Sequence, residues 1–370
     1  MNIVAALAFI LLMVQPVFSQ ETGKARFTLE FSGIGELILE QHLFENDNQE
    51  NTQLVLKRPG GMREIIDTVE GLLPADLRKF DLDADSSPEI IALLRHPDGI
   101  DVMPYIYRLQ ETFVRAYPDA QNPDATGLIC REIVLTADEK NPLLCAKNIV
   151  SFHDFGPPYL YQLEFFRLTR QGLELFNRSF SEGDHFNILM NRGAMAFNDA
   201  KYLEAIEFYE QAVSSSTGEI TTKAFIESLF NMAEARKLSK DFKSSLELFQ
   251  KIVMEFGQNH RTDAAQKEIE LISAGLEKPE VLSYLTDASI MLNSNKWEEA
   301  LALVENRPVG ALEDHFLFLK AEILTAQNRI DEAVKVFNEL KTRFPESMLL
   351  EEVDQMLEDM QGDPEESEGL

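Results

Sequence analysis

The sequence has few cysteines, little positive charge and few long apolar runs. Only 2 of its 370 residues are cysteine, which is too few for a disulfide-rich scaffold or a cysteine-rich zinc module. Its 34 Lys and Arg residues are outnumbered by 63 Asp and Glu, giving a net charge of −29. A surface that binds nucleic acid or anionic lipid has to be basic, so the composition disfavours both classes. Hydrophobic residues make up 45% of the chain, enough to fill the cores of two or three domains.

One apolar run stands at the start of the sequence. Residues 1–19 contain no charged side chain, and residues 3–14 are continuously apolar. This run is shorter than the roughly 20 residues that span a bilayer, and Pro16 follows it. The pattern predicts a signal peptide over residues 1–19 and export, to the periplasm or alternatively to the exterior. An uncleaved signal anchor and a buried first helix are the other interpretations.

The chain changes character near residue 185. Up to that point short apolar runs, several with alternating polarity, are separated by turn residues such as Pro59-Gly60-Gly61 and Gly156-Pro157-Pro158. This pattern predicts a mainly antiparallel β domain over residues 20–185, interrupted by one helix over residues 62–73. Helical periodicity takes over at Phe186, so the fold class is α+β multidomain. Residues 351–370 hold nine acidic residues and no basic one, which predicts a disordered acidic tail.

The C-terminal half contains degenerate helical-hairpin repeats. Gly193, Ala205, Tyr209 and Ala212 place small and aromatic residues where two helices face each other across a short turn. Related sets recur three more times along the chain: Ala233, Phe242, Ser245, Phe249 and Ile252; Ala288, Trp297, Ala300 and Val304; Ala321, Ile330, Ala333, Phe337, Leu340 and Pro345. An additional helix is predicted over residues 262–276. An unrelated helical bundle is the alternative.

These four sets resemble the tetratricopeptide (TPR) repeat. The resemblance covers residues 186–350 and implies an α-solenoid whose concave surface binds a segment of a protein partner without catalysis. TPR ligands are usually met on the first helix of each repeat. The predicted partner-binding residues are therefore Asn191, Asn231, Lys237 and Lys320.

An acidic loop in the β domain suggests metal chemistry. Asp81, Asp83 and Asp85 occupy alternate positions, followed by Ser87 and then by Glu89 at the start of an apolar strand. Side chains of the four acids and the Ser87 carbonyl would form an oxygen cage suited to Ca²⁺. The loop resembles the calcium loop of FG-GAP/VCBS repeats, which implies a propeller-blade-like domain, with another β-meander as the alternative. Ser86 departs from the glycine usual there, and only one copy is present. An acidic β-turn without metal is the other interpretation.

The cysteines and histidines offer little enzyme chemistry. Cys130 and Cys145 lie on two predicted strands and would form one disulfide in an exported protein, with two separate thiols as the alternative. The six histidines are scattered singly, and no metal-binding or nucleophile motif accompanies them. His153 and Asp154 are the one tempting acid–base pair, but no nucleophile is indicated. The sequence predicts that the protein is not an enzyme.

Taken together, the two halves predict an exported protein-binding adaptor, active in envelope assembly, that holds a partner segment in the TPR-like groove. The alternative is a calcium-dependent recognition or adhesion module in which the solenoid is a spacer. Ca²⁺ is the one cofactor that the sequence suggests. The expected partner is a protein or peptide, with no nucleic acid and no membrane span beyond residue 19.

Overall fold

A computed structural model describes residues 26–43, 50–97, 99–110, 113–118, 128–136, 142–153, 156–215, 220–308 and 310–361. The predicted signal peptide lies outside the described residues. The chain forms two compact units. The sheet unit takes the described residues up to Val150 together with Leu160–Ser181, and the helical unit takes Ser151–Tyr159 and the described residues from Glu182 onward.

The described part of the sheet unit consists of three four-stranded antiparallel sheets, in which neighbouring strands follow one another along the chain. The strands are β1 (Arg26–Phe31), β2 (Gly35–Leu43), β3 (Glu50–Lys57), β4 (Arg63–Glu70), β5 (Leu73–Phe80), β6 (Glu89–Arg95), β7 (Val102–Leu109), β8 (Phe113–Tyr117), β9 (Glu132–Thr136), β10 (Leu143–Val150), β11 (Leu160–Thr169) and β12 (Gly172–Phe180).

The second sheet, β5–β8, is packed on both faces. Alternate residues of β6 point to opposite sides, so Ile90 joins a core with Leu39 and Leu54 of the first sheet, while Ile91 joins a core with Leu144 of the third. This explains why β6 is apolar at consecutive positions rather than alternating: every residue from Glu89 to Leu94 is buried.

The predicted antiparallel β region is therefore confirmed, but the helix predicted over residues 62–73 is wrong. That segment is β4, whose residues pair with β3 in register Leu56↔Glu64 and Thr52↔Val69. Partly buried and exposed residues alternate along most of it, which is the period of a strand. Among the described residues each of the three sheets is open, with four strands and two edges, so none of them is a closed barrel. The strand order does not decide between a propeller-blade-like domain and another β-meander.

The described part of the helical unit contains ten helices. They are α1 (Phe186–Asn198), α2 (Tyr202–Ser214), α3 (Thr222–Leu238), α4 (Phe242–Phe256), α5 (Thr262–Gly275), α6 (Pro279–Asn293), α7 (Trp297–Glu305), α8 (Glu313–Ala326), α9 (Ile330–Arg343) and α10 (Leu350–Gln361).

Helical hairpins form where the repeats predict them, because small residues let paired helices approach. A Cβ added at Gly193 of α1 would lie 2.4 Å from Cε1 of Tyr209 on α2. In the next hairpin the hydroxyl of Ser245 on α4 donates to the carbonyl of Ala233 on α3 at 2.8 Å. The first helices of the hairpins, α1, α3, α6 and α8, contact one another in that order.

The acidic segment that was predicted to be disordered begins with a helix, α10. Val353 and Leu357 are buried against Phe337 and Leu340 of α9. The apolar side chains recur at helical spacing among the acidic ones, so one face of α10 is covered while the charges stay exposed. Residues 362–370 lie outside the described residues. Each of the described helices is too short or too polar to cross a membrane.

Candidate protein-binding groove

A groove of about 440 Å³ lies within the helical unit. Its lining combines aromatic rings with polar and acidic side chains from four helices and one connecting segment. The lining residues are Phe152, His153, Ala194, Phe197, Asn198, Tyr209, Phe230, Asn231, Glu234 and Glu268.

One wall of the groove is formed by Phe152 and His153, from the segment between β10 and β11, and the amide of Asn191 on α1 binds their backbone. The Oδ1 atom of Asn191 accepts hydrogen bonds from the backbone N–H groups of Phe152 (2.7 Å) and His153 (3.0 Å). Its Nδ2 donates to the carbonyl of His153 at 3.3 Å and to that of Asn187 at 2.8 Å. Asn191 is buried, and these bonds satisfy an amide that would otherwise be costly to bury.

Two further asparagines hold the same segment. Nδ2 of Asn187, one turn earlier on α1, donates to the carbonyl of Gly156 at 2.7 Å. Nδ2 of Asn231 on α3 lies 3.1 Å from Nε2 of His153. Burial lowers the pKa of His153, and the nearby Arg261 lowers it further, against the opposing charge of Glu227. The lowered pKa favours the neutral imidazole, whose Nε2 can accept a hydrogen bond from the Asn231 amide.

Two carboxylates and one ammonium group form the polar side of the groove. Nζ of Lys237 on α3 lies 2.7 Å from Oε1 of Glu268 on α5 and 3.1 Å from Oε1 of Glu234. Burial raises the pKa of Glu234 although Lys237 opposes this effect. Burial works against the charge of Lys237, but the two carboxylates prevail and raise its pKa. The side chains therefore act as one coupled network.

A second ion-pair network lies next to the groove, outside its lining. Glu227 is buried on α3, accepts hydrogen bonds from Nη2 of Arg261 at 2.7 Å and lies 2.5 Å from Nε2 of His260. Burial opposes ionisation of Glu227, but these hydrogen bonds and charges hold its pKa below its usual value. The Arg261 guanidinium also lies over the ring of Phe230, with 4.5 Å from its carbon to the ring centroid. This arrangement fixes one groove aromatic in place.

The four predicted partner-binding residues fall in different surroundings. Asn231 lines the groove, whereas Asn191 lies beneath the wall that it binds. Lys237 contacts the groove through the two carboxylates. Lys320 on α8 is elsewhere, with its Nζ 3.1 Å from Oε1 of Glu305. None of these placements tests partner binding, which stays a prediction.

Sequence reasoning missed Phe152, Asn187 and Glu268. Phe152 and Asn187 lie outside the repeat pattern, and Glu268 belongs to the additional helix between repeats. The one available signal was the pair of asparagines at Asn187 and Asn191, which share a helix face at a spacing of four residues. Asp154, the predicted neighbour of His153 in an acid–base pair, lies outside the described residues.

The acidic loop of the sheet unit brings part of its predicted ligand set together. One carboxylate oxygen from each of Asp81, Asp83 and Glu89 lies within 4.8 Å of the others. The guanidinium of Arg108 on β7 donates to Asp83 at 2.8 Å and to Glu89 at 3.3 Å. An arginine therefore neutralises the same carboxylates that a cation would need.

The predicted ligands also accept hydrogen bonds from backbone N–H groups within the loop. Oδ1 of Asp85 accepts the backbone N–H of Ser87 at 2.7 Å, and Asp81 accepts the N–H groups of Asp85 and Ser86. Glu89 is buried and accepts the N–H of Leu82 at 2.7 Å. Its pKa is raised, chiefly by burial. Arg108 and a divalent cation would therefore compete for Asp83 and Glu89.

Two separate thiols stand where the sequence predicts a disulfide. Cys130 and Cys145 are buried and free. In the strand register Val134 lies opposite Cys145, and Cys130 pairs with Val102. Burial raises the pKa of Cys130 to about 12 and that of Cys145 to about 11. Both thiols are protonated at neutral pH and are poor nucleophiles.

Residues 316–347 match the tetratricopeptide repeat family. The matched stretch covers most of α8, all of α9 and the residues that follow, which is the fourth of the predicted repeats. This supports the TPR-like interpretation of the helical unit and a role in protein–protein interaction. None of the curated proteins compared with the chain matches it.

Proposed function

We propose that this protein is a non-enzymatic adaptor that holds a segment of a protein partner in the groove of its helical unit. The observation that carries the proposal is the groove itself. It combines aromatic rings with hydrogen-bonding groups in about 440 Å³, and most of its lining residues lie on α1 and α3, the first helices of two TPR-like hairpins. Such surfaces bind extended or helical segments.

The groove also has a fixed wall, which favours binding without a large rearrangement. Six hydrogen-bonding contacts join Asn187, Asn191 and Asn231 to the segment that carries Phe152 and His153. A surface that is ordered before binding loses less conformational entropy when the partner docks.

Site-specific photocrosslinking in the native host tests this proposal. A photoreactive residue at Asn198, which is exposed on the groove rim, is expected to give one defined adduct with a protein. The same residue at Glu207, exposed on α2, serves as the control and should give none. Equal adducts at both positions, or none at Asn198, would contradict a groove-directed interaction.

Export to the periplasm, for a role in envelope assembly, belongs to the same proposal and rests on the apolar run of residues 1–19. Mass spectrometry of the protein purified from its host is expected to find Gln20 as the first residue. Recovery of the intact N-terminus would remove the support for a cleaved signal.

A calcium-dependent recognition module is the second candidate, favoured by the approach of Asp81, Asp83 and Glu89 to within 4.8 Å. Calcium would hold these carboxylates in place of Arg108. Thermal unfolding of the full chain should then shift upward with millimolar CaCl₂, and less with MgCl₂, because Ca²⁺ suits irregular oxygen sites better. No calcium-dependent shift in either the native protein or Arg108→Gln would contradict this candidate.

A further inference from the structure

The groove has acidic side chains in its lining and basic side chains next to them. Glu234 and Glu268 line the groove and pair with Lys237, and Glu227, which lies outside the lining, pairs with Arg261. Oε1 of Glu268 accepts from Lys237, but its Oε2 is shielded from solvent without a hydrogen-bond partner. A shielded carboxylate oxygen of this kind is costly unless a donor reaches it.

Aromatic rings lie on the same groove as this carboxylate. Phe152 is 45% exposed although it is large and apolar, and Phe197 and Phe230 line the groove beside it. The Arg261 guanidinium over Phe230 shows that this groove already stabilises a cation on an aromatic face. Rings and carboxylates together are the surroundings that an ammonium or guanidinium group prefers.

We propose that the groove binds a lysine or arginine side chain of the partner, with the charged head at Glu268 and Glu234 and the alkyl stem along Phe152 and Phe197. This inference rests on the proposed function and adds the chemistry of the partner. Charge complementarity selects the occupant, because a chain of net charge −29 repels an acidic segment and attracts a basic one.

The carboxylates and the aromatic rings of the groove have separate roles in this binding mode. The carboxylates of Glu234 and Glu268 set the sign of the charge that enters the groove. The rings exclude water around the aliphatic stem, which strengthens the ion pair in the groove. The segment held by Asn191 supplies Phe152, so that asparagine is a positioning residue.

Selection of random 12-residue peptides displayed on phage, with the full-length protein as bait, tests the inference. Peptides that bind the groove are expected to share one Lys or Arg. Replacing that residue by norleucine in a synthetic peptide should weaken binding roughly five- to thirty-fold, as measured by calorimetry. Substitution on the peptide leaves the protein fold intact.

Protein variants complete the test. Glu268→Gln keeps the shape of the side chain. It should weaken the binding of the basic peptide and leave the binding of the norleucine form unchanged. Glu207→Gln, an exposed acid on α2, is the matched control. Thermal unfolding of each variant verifies that the fold is kept, and Phe152→Leu offers a second probe if Glu268→Gln unfolds.

The outcomes separate this inference from the proposed function. Groove-binding peptides without a shared basic residue, or with equal affinity after the norleucine change, would overturn the cation site and leave the adaptor intact. If a change at Asn198 on the groove rim abolishes the binding of none of the selected peptides, the peptides do not bind in the groove. The adaptor proposal itself then fails.

Discussion

At the scale of single residues, burial controls the chemistry of the titratable groups. Cys130 and Cys145 are buried, and the rise of their pKa values argues against the reactive thiols that a catalytic site would need. Glu322 on α8 is the clearest case among the carboxylates. Burial raises its pKa to about 7, and the charge of Glu352 on α10 adds to the effect.

This shift makes the stability of the protein depend on pH. The folded state binds a proton at Glu322 up to about pH 7, whereas the unfolded chain releases it near pH 4.5. Stability therefore falls as pH rises through this window, and the loss is complete above pH 7. Glu322→Gln removes the ionisable group. We expect it to raise the free energy of unfolding by about 1–2 kcal/mol at pH 8 and to change little at pH 4.5.

Urea unfolding at the two pH values measures this difference. Glu299→Gln, at an exposed position on α7, is the control and should be neutral at both. An equal effect of Glu322→Gln at pH 4.5 and pH 8 would show that ionisation is not the cause.

At the scale of helices and strands, the spacing of apolar residues predicted the elements well where contacts between residues close in the sequence determine them. Gly193 with Tyr209, and Ala233 with Ser245, mark the contacts of paired helices, and those contacts lie close in the sequence. The same reasoning failed at β4, because a short apolar segment can satisfy either period and only pairing with β3 decides.

The groove wall was beyond sequence reasoning for a different physical reason. Residues 151–159 follow one strand and precede another, so turn residues there predict only a connection. The groups that hold the segment, on Asn187 and Asn231, lie 31 and 78 residues further along the chain. No local pattern reports contacts over that separation.

Asn191 should therefore matter more for stability than its helix position suggests. Asn191→Ala leaves the N–H groups of Phe152 and His153 without their shared acceptor, and we expect a loss of about 2–3 kcal/mol. Chemical unfolding and proteolysis of the segment measure the effect. The control is Asn198→Ala on the same helix, whose side chain is exposed. Equal stability of the two variants would contradict the importance of the wall.

Helix α10 gives a second prediction at this scale. Its charge alone predicts disorder, but Val353 fills a core with Phe337 and Leu340. Val353→Ala should lower the free energy of unfolding by about 2 kcal/mol, measured by thermal or urea unfolding. Glu358→Ala, exposed on the same helix, should be nearly neutral. Two neutral variants would mean that α10 does not pack as described.

At the scale of the whole molecule, the net charge of −29 acts on folding and on binding in opposite ways. Salt screens the repulsion among surface acids, so the melting temperature should rise between 10 and about 300 mM KCl. The same salt should weaken the binding of a basic peptide to the groove, because salt also screens the attraction between the peptide and the acidic side chains. Differential scanning calorimetry and binding titrations at matched salt test both signs, and two effects of the same sign would contradict this account.

The groove wall also has a consequence for the order in which the molecule is made. Residues 151–159 leave the ribosome well before Asn231, which is 78 positions later. During synthesis the segment therefore lacks its contact with Asn231 until α3 has emerged. Since Asn187 and Asn191 emerge first, α1 can capture the segment before α3 arrives. A fragment that starts at residue 182 would lack this wall of the groove. Asn187 and Asn191, which are buried in the full protein, would then be exposed to water.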